Sequence, residues 1–284
     1  MIKKIFSVAI IALVLFNMAG CRKDPTVDAG KERIIVFFST EAVSASLIKA
    51  TQPATGAELT INEVIVFGTD DVGNILQTEL IQNPSLSGQA IEFLRRVETI
   101  YAIANPSTDM KNSNPANVAA LKGLIANFAN APASPFLMSG SGVVDADRYA
   151  VIELEKPFAK VEIAGGNGFE IESVTVINTP DKGFVFPQPT FSVPGTAGRI
   201  DYPTVNTVAG NKITVYVAEN SAQNPTQFLV TGKFAGNNDN IPIDLFYITL
   251  QENNEDIDIE RNTYYQVIIN AKTPKMLSFT KSTF

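Results

Sequence analysis

The sequence predicts an all-β protein with one short helix, arranged as two β-sandwiches in tandem. Three observations lead there. Short apolar runs rich in Val, Ile, Phe and Tyr recur along the chain, the composition that suits a pleated, half-buried surface. Gly, Pro, Asn and Asp separate these runs and turn the chain between them. Only one stretch carries apolar residues at helical spacing. The chain has 284 residues, enough for two domains of ordinary size.

The elements follow in order. Ile34-Ile35-Val36-Phe37-Phe38 is apolar at every position, the pattern of a strand buried on both faces. Leu59-Thr60-Ile61-Asn62-Glu63-Val64-Ile65-Val66-Phe67 alternates at first and ends apolar, and residues 99–104 make a third strand. Asn114-Pro115 opens the helix, with Val118, Leu121, Leu124, Ile125 and Phe128 along one face. That apolar face predicts a helix lying against a sheet. Ala131-Pro132-Ala133-Ser134-Pro135 ends it, Phe136-Leu137-Met138 returns to strand, and Gly140-Ser141-Gly142 reads as a turn. Residues 149–154 form a strand, and Lys156-Pro157 marks the boundary between domains at 32–156 and 157–284, because proline is tolerated where a strand exits. The second domain reads as strands at 159–163, 171–177, 212–218, 227–234, 243–250, 264–270 and 276–284. Several alternate, as antiparallel strands with one wet face do. Gly165-Gly166-Asn167-Gly168 reads as a β-turn, and residues 235–240 and 251–258 as hairpin tips.

Ahead of the fold, residues 1–20 have the form of an export signal: Lys3 and Lys4 precede an apolar core over residues 5–16, too short to span a bilayer comfortably. The signal closes on Asn17-Met18-Ala19-Gly20-Cys21, which resembles the bacterial lipobox, where the cysteine sulfur takes a diacylglyceryl group. Cys21 is the only cysteine, so it is free, intermolecular or modified; its place after Gly20 favours modification. Acylation at Cys21 would anchor the protein without a membrane span, since two or more chains bind stably where one binds marginally. Residues 21–31 then form a tether, and no later stretch reaches the ~20 apolar residues of a spanning helix.

Charge and composition narrow the function. The formal net charge is −7 and falls to about −9 once Lys3 and Lys4 leave with the signal, which argues against nucleic acid as a partner. Histidine and tryptophan are absent, so Ser-His-Asp catalysis and most zinc sites are closed to this chain. Glu153, Glu155 and Glu162 near the junction supply a carboxylate set for glycoside chemistry in principle; alternation along a strand explains the first two as solvent-facing. Glu252, Glu255, Asp256, Asp258 and Glu260 lack the spacing and central glycine of an EF-hand and read as a solvated hairpin. No enzyme activity and no cofactor is expected. A surface glycan-binding lipoprotein is the competing class, but its aromatic platforms would have to come from Tyr and Phe that lie within apolar runs.

The order of lipobox, apolar first strand, second strand near Ile61, helix, and Pro157-Phe158-Ala159-Lys160-Val161-Glu162-Ile163 is similar to the fimbrillins of type V pili. So are Ser173-Val174-Thr175-Val176-Ile177-Asn178-Thr179-Pro180 and Ile259-Glu260-Arg261-Asn262-Thr263-Tyr264-Tyr265. This resemblance spans nearly the whole chain. It implies two transthyretin-like Greek-key β-sandwiches, location at the outer membrane and in surface fimbriae, and a role in adhesion. It also implies assembly by donor-strand exchange: an arginine- or lysine-specific, trypsin-like surface protease removes the first strand, and a strand of another pilin subunit fills the groove. The strand at stake is Ile34-Ile35-Val36-Phe37-Phe38, for which a permanent core role is the other reading. Lys49-Ala50 is the candidate scissile bond, in a segment of small residues; a solvated surface lysine is the alternative. Leu277 and Phe279 alternate as a donor strand should, while Lys281 and Thr283 continue that face poorly. Shaft, tip, accessory and anchor positions all stay open.

Overall fold

The structure is a computed structural model that describes residues 31–40, 56–166, 168–207, 210–234, 244–252, 254–269 and 277–283, with side chains throughout except at Asp244 and 277–283. The export segment, Cys21, and the candidate cleavage residues Lys49 and Ala50 lie outside the described residues.

The first half comprises β1 (Glu32–Ser39), β2 (Glu63–Thr69), β3 (Ile75–Gln82), β4 (Gln89–Phe93), β5 (Thr99–Ala104), the helices α1 (Thr108–Lys111) and α2 (Val118–Lys122), β6 (Ile125–Asn127), β7 (Met138–Val143) and β8 (Tyr149–Glu153). The second comprises β9 (Phe158–Gly165), β10 (Phe169–Ile177), β11 (Thr179–Pro180), β12 (Lys182–Phe184), β13 (Arg199–Ile200), β14 (Val205–Asn206), β15 (Lys212–Ala218), β16 (Gln227–Phe234), β17 (Asp244–Ile248), β18 (Gln251–Glu252), β19 (Glu255–Asp256), β20 (Thr263–Ile269) and β21 (Leu277–Thr283).

The two halves repeat one topology. A sheet ordered β4-β1-β8 is paired with one ordered β3-β2-β5-β7, and a sheet ordered β15-β9-β20-β21 with one ordered β14-β10-β16-β17. In each half the first strand is central, antiparallel to one neighbour and parallel to the other: β1 between β4 and β8, β9 between β15 and β20. Strand β21 is an addition to this plan, antiparallel to β20.

Each pair of sheets encloses its own core. Ile34, Val36 and Phe38 meet Val64, Val66, Ile100 and Ile152 in the first; Val161, Ile163, Val174, Phe228 and Val267 meet in the second. A third cluster joins the halves, with Ile65, Phe67, Leu121, Phe128 and Phe136 packed on Phe158, Ala218 and Tyr264. This cluster makes β2, rather than β1, the strand buried on both faces.

Four expectations are corrected. Strand β1 alternates: Ile34, Val36 and Phe38 are buried, while Ile35 and Phe37 are half-buried, because its outer face carries no further layer among the described residues. The segment at Leu59 is the end of a short 3-10 turn, and the second strand starts at Glu63. The helix stops at Lys122, with Asn117 capping its start by accepting from the Ala120 N–H and Gly123 at its end. Leu121 packs toward the sheet as expected, but Ile125–Asn127 leaves as β6 and pairs with β12 across the junction. Gly140-Ser141-Gly142 is mid-strand in β7; a Cβ at either glycine would clash with the carbonyl oxygens of Glu153 and Val151, so glycine there permits close approach rather than a turn.

Candidate functional site

The first strand lies between β4 and β8 in its sheet. Five β1 residues from Glu32 to Val36 pair with β4, and five from Ile35 to Ser39 pair with β8, so one backbone edge is engaged over the first part of the strand, the other over the last part, and both at Ile35 and Val36. On the inner face Ile34 and Val36 are 0% exposed and Phe38 5%; these three alternate side chains fill the first core. On the outer face Phe37 stands 6.2 Å from the Tyr149 ring, centre to centre. Strand identity here follows from sequence: β-branched and aromatic residues at every position favour the extended chain and leave the register to be fixed by the buried face.

A polar clamp holds the start of β1. The Glu32 carboxylate pairs with Arg148 and accepts from the Val97 N–H at 2.8 Å, and Arg148 also donates to the Val97 carbonyl at 3.0 Å. At the far end the Leu154 N–H donates to the Ser39 carbonyl at 2.7 Å. Neither Glu32 nor Arg148 is singled out by sequence, since an isolated charge carries no sign of its tertiary partner.

The junction holds a second group that sequence does not show. Glu58, 2% exposed, accepts from Lys160 Nζ at 2.7 Å and from the Tyr216 hydroxyl at 2.7 Å. Lys156, also buried, has its pKa lowered to about 8 by burial, an effect that Lys160 reinforces and Glu58 opposes. Burial raises the Tyr216 pKa, and the Glu58 carboxylate raises it further. Glu58 precedes β2 while Lys160 and Tyr216 stand on β9 and β15, so this network ties the two halves together.

The carboxylates weighed for chemistry are dispersed. Glu153 is exposed; Glu155 is half-buried, its pKa raised by burial. Glu162 is buried in hydrogen bonds from Lys212 at 2.8 Å, Gln266 at 3.0 Å and Tyr264 at 3.3 Å. The acidic hairpin is β18 paired with β19, and no group of three or more metal-type ligands forms among the described residues. Of the motif at 259–265, Arg261 grips Glu219 at 2.7 Å and the carbonyls of Val185 and Phe184 at 3.1 and 2.6 Å. Asn262, at φ 50, sends its N–H to the carbonyls of Lys156 and Phe158. These residues pin the junction. On β21, Leu277 and Phe279 stand at the register positions opposite Ile269 and Val267.

No family model and no curated protein matches the chain. Solved structures do. A candidate cell adhesion protein from Parabacteroides distasonis superposes with a TM-score of 0.63 at 14% identity, over 89% of this chain and 96% of that one. The tip fimbrial protein Mfa3 of Porphyromonas gingivalis, C-terminally truncated, gives 0.56 at 11%, over 88% and 99%. A fimbrilin from the same organism gives 0.55 at 11%, over 88% and 96%. At these identities the likeness is one of fold, and in fold the resemblance to fimbrillins is borne out: the chain is all-β, built like these fimbrial and adhesion proteins.

Proposed function

We propose that this chain is a structural subunit of a surface fibre with a role in adhesion, exported as a lipoprotein on Cys21 and assembled by replacement of β1. Cleavage after Lys49 would free β1, and a strand of another subunit would take its place. In this reading the halves are domains spanning 32–156 and 157–284. Strand β21, with Leu277 and Phe279, is the candidate donor to a neighbour. The membrane and a trypsin-like surface protease are the other partners.

The observation that carries the reading is the position of β1: central in its sheet, with both edges paired and three alternate side chains in the core. Its loss would leave a slot with two rows of unpaired backbone groups and three apolar pockets. Each such side chain contributes about 1.5 to 3 kcal/mol on burial, so an emptied slot favours any strand with apolar residues at every second position. Fold similarity to fimbrial proteins supports the same reading.

The test is the N-terminus of the protein in purified surface fibres, by mass spectrometry. A start at Ala50 is expected for an assembled subunit; a lipidated Cys21 with β1 attached would assign the protein to the anchor position instead. Absence from fibres would overturn the reading.

A further inference from the structure

If β1 is withdrawn, the slot survives only where its walls are held by something other than β1. Among the described residues, β4 pairs with β1 alone, and β8 pairs in its sheet with β1 alone. Both walls nevertheless have a second attachment, to the opposite sheet.

At the β4 wall the hydrogen bonds to the opposite sheet come from one side chain. Gln77 on β3 donates from Nε2 to the Glu92 carbonyl at 2.9 Å and accepts from the Leu94 N–H at Oε1 at 3.0 Å. Its amide thus imitates a strand neighbour, engaging the backbone of β4 as a ladder would. Beneath it Phe93 is 0% exposed and packs on Gly68 so closely that a Cβ there would meet the ring at 2.5 Å. At the β8 wall the attachment is backbone. Ser139 and Glu155 exchange hydrogen bonds, N–H to carbonyl in both directions at 2.9 Å, and Gly140 and Gly142 lay β7 directly on the carbonyls of Glu153 and Val151.

We propose that Gln77 on one side, and the Gly140-Gly142 seam on the other, are positioning residues for strand exchange: they keep the walls of the slot at strand spacing while β1 is absent. The inference rests on the reading that β1 is replaceable. With β1 in place, Gln77 duplicates what the ladder already does. With β1 gone, it remains as a polar tie between β4 and the opposite sheet.

The test uses the full chain carrying a specific protease site inserted after Thr40. After cutting, β1 is exchanged against an excess of a fluorescent synthetic peptide of residues 32–40, and uptake is followed by fluorescence and native mass spectrometry. Gln77→Ala is expected to leave the melting temperature of the uncut protein within a few degrees of wild type, and to weaken peptide uptake by the cut protein roughly tenfold to a hundredfold, as loss of two hydrogen bonds implies. Gly142→Ala puts a Cβ on the Val151 carbonyl oxygen, so it is expected to lower the melting temperature of the uncut protein and to weaken uptake by the cut protein by a larger margin. Wild-type uptake by cut Gln77→Ala overturns the proposal, and so does an uncut variant destabilised as strongly as the cut one, which would make Gln77 an ordinary structural contact. If cut wild-type protein takes up no peptide, it is the strand-replacement reading that fails, and the proposal with it.

Discussion

At Lys156 the junction holds an ammonium that burial disfavours. Its folded pKa of about 8 lies below the ordinary 10.5, so between those values the unfolded chain binds more protons and stability rises with pH. A difference of that size is worth about 3 kcal/mol between the charged and neutral forms. Glu58 and Lys160 are charges that act on it, and Glu58 keeps Lys160 and the Tyr216 hydroxyl as partners when Lys156 is lost. Lys156→Met is therefore expected to melt higher than wild type at pH 7, with the gap closing between pH 8 and 10. Melting curves across that range check it; a gap independent of pH would contradict the assignment. Glu58 is a residue whose role no sequence pattern exposes. It reads as a surface glutamate in a polar stretch, and only the packing of β9 and β15 against the turn that carries it makes it a buried anchor.

At the scale of the element, β1 shows what periodicity can and cannot deliver. Its existence is legible, since five successive β-branched and aromatic residues admit little else. Its one-sided burial is not legible, because an unbroken apolar run looks the same whether the outer face is covered or half-open. Strands β3 and β4 escape the sequence reading for the opposite reason: both are sheet edges, and in β4 only Ile91 and Phe93 are buried. Helix α2 ends early because β6 finds its backbone partners in β12, more than fifty residues away in sequence, a distance at which local spacing is silent. The Glu32 clamp allows a direct prediction about β1 itself. Glu32→Ala removes the partner of Arg148 and the acceptor for the Val97 N–H, with an expected loss of about 1 to 3 kcal/mol. Hydrogen exchange should show the β1 amides opening sooner while β9 is unchanged; equal protection of β1 in both proteins would show the clamp to be idle.

Taken whole, the molecule is two copies of one topology bound through a shared apolar cluster. Phe158, 1% exposed, sits at its centre with Phe136, Tyr216 and Phe128 at 5.1, 5.9 and 6.2 Å between ring centres. Phe158→Ala is expected to cost about 3 to 5 kcal/mol and to split calorimetric unfolding into two transitions as the halves lose their coupling. A single, merely shifted transition would locate the coupling elsewhere, in the β6–β12 ribbon or the Glu58 network.

The central claim is that β1 leaves the first half during assembly, and a reversible lock tests it most directly. Ile35 and Ala90 are cross-strand partners, and such partners lie about 4.5 to 5.5 Å apart at Cα, within reach of a disulfide. With Ile35→Cys and Ala90→Cys together, β1 is expected to stay bound to β4, and the oxidised protein to remain outside surface fibres until a reductant is added. Entry of the oxidised, locked protein into fibres at the wild-type level would show that β1 stays in place, and that the fibre assembles by some route other than strand replacement.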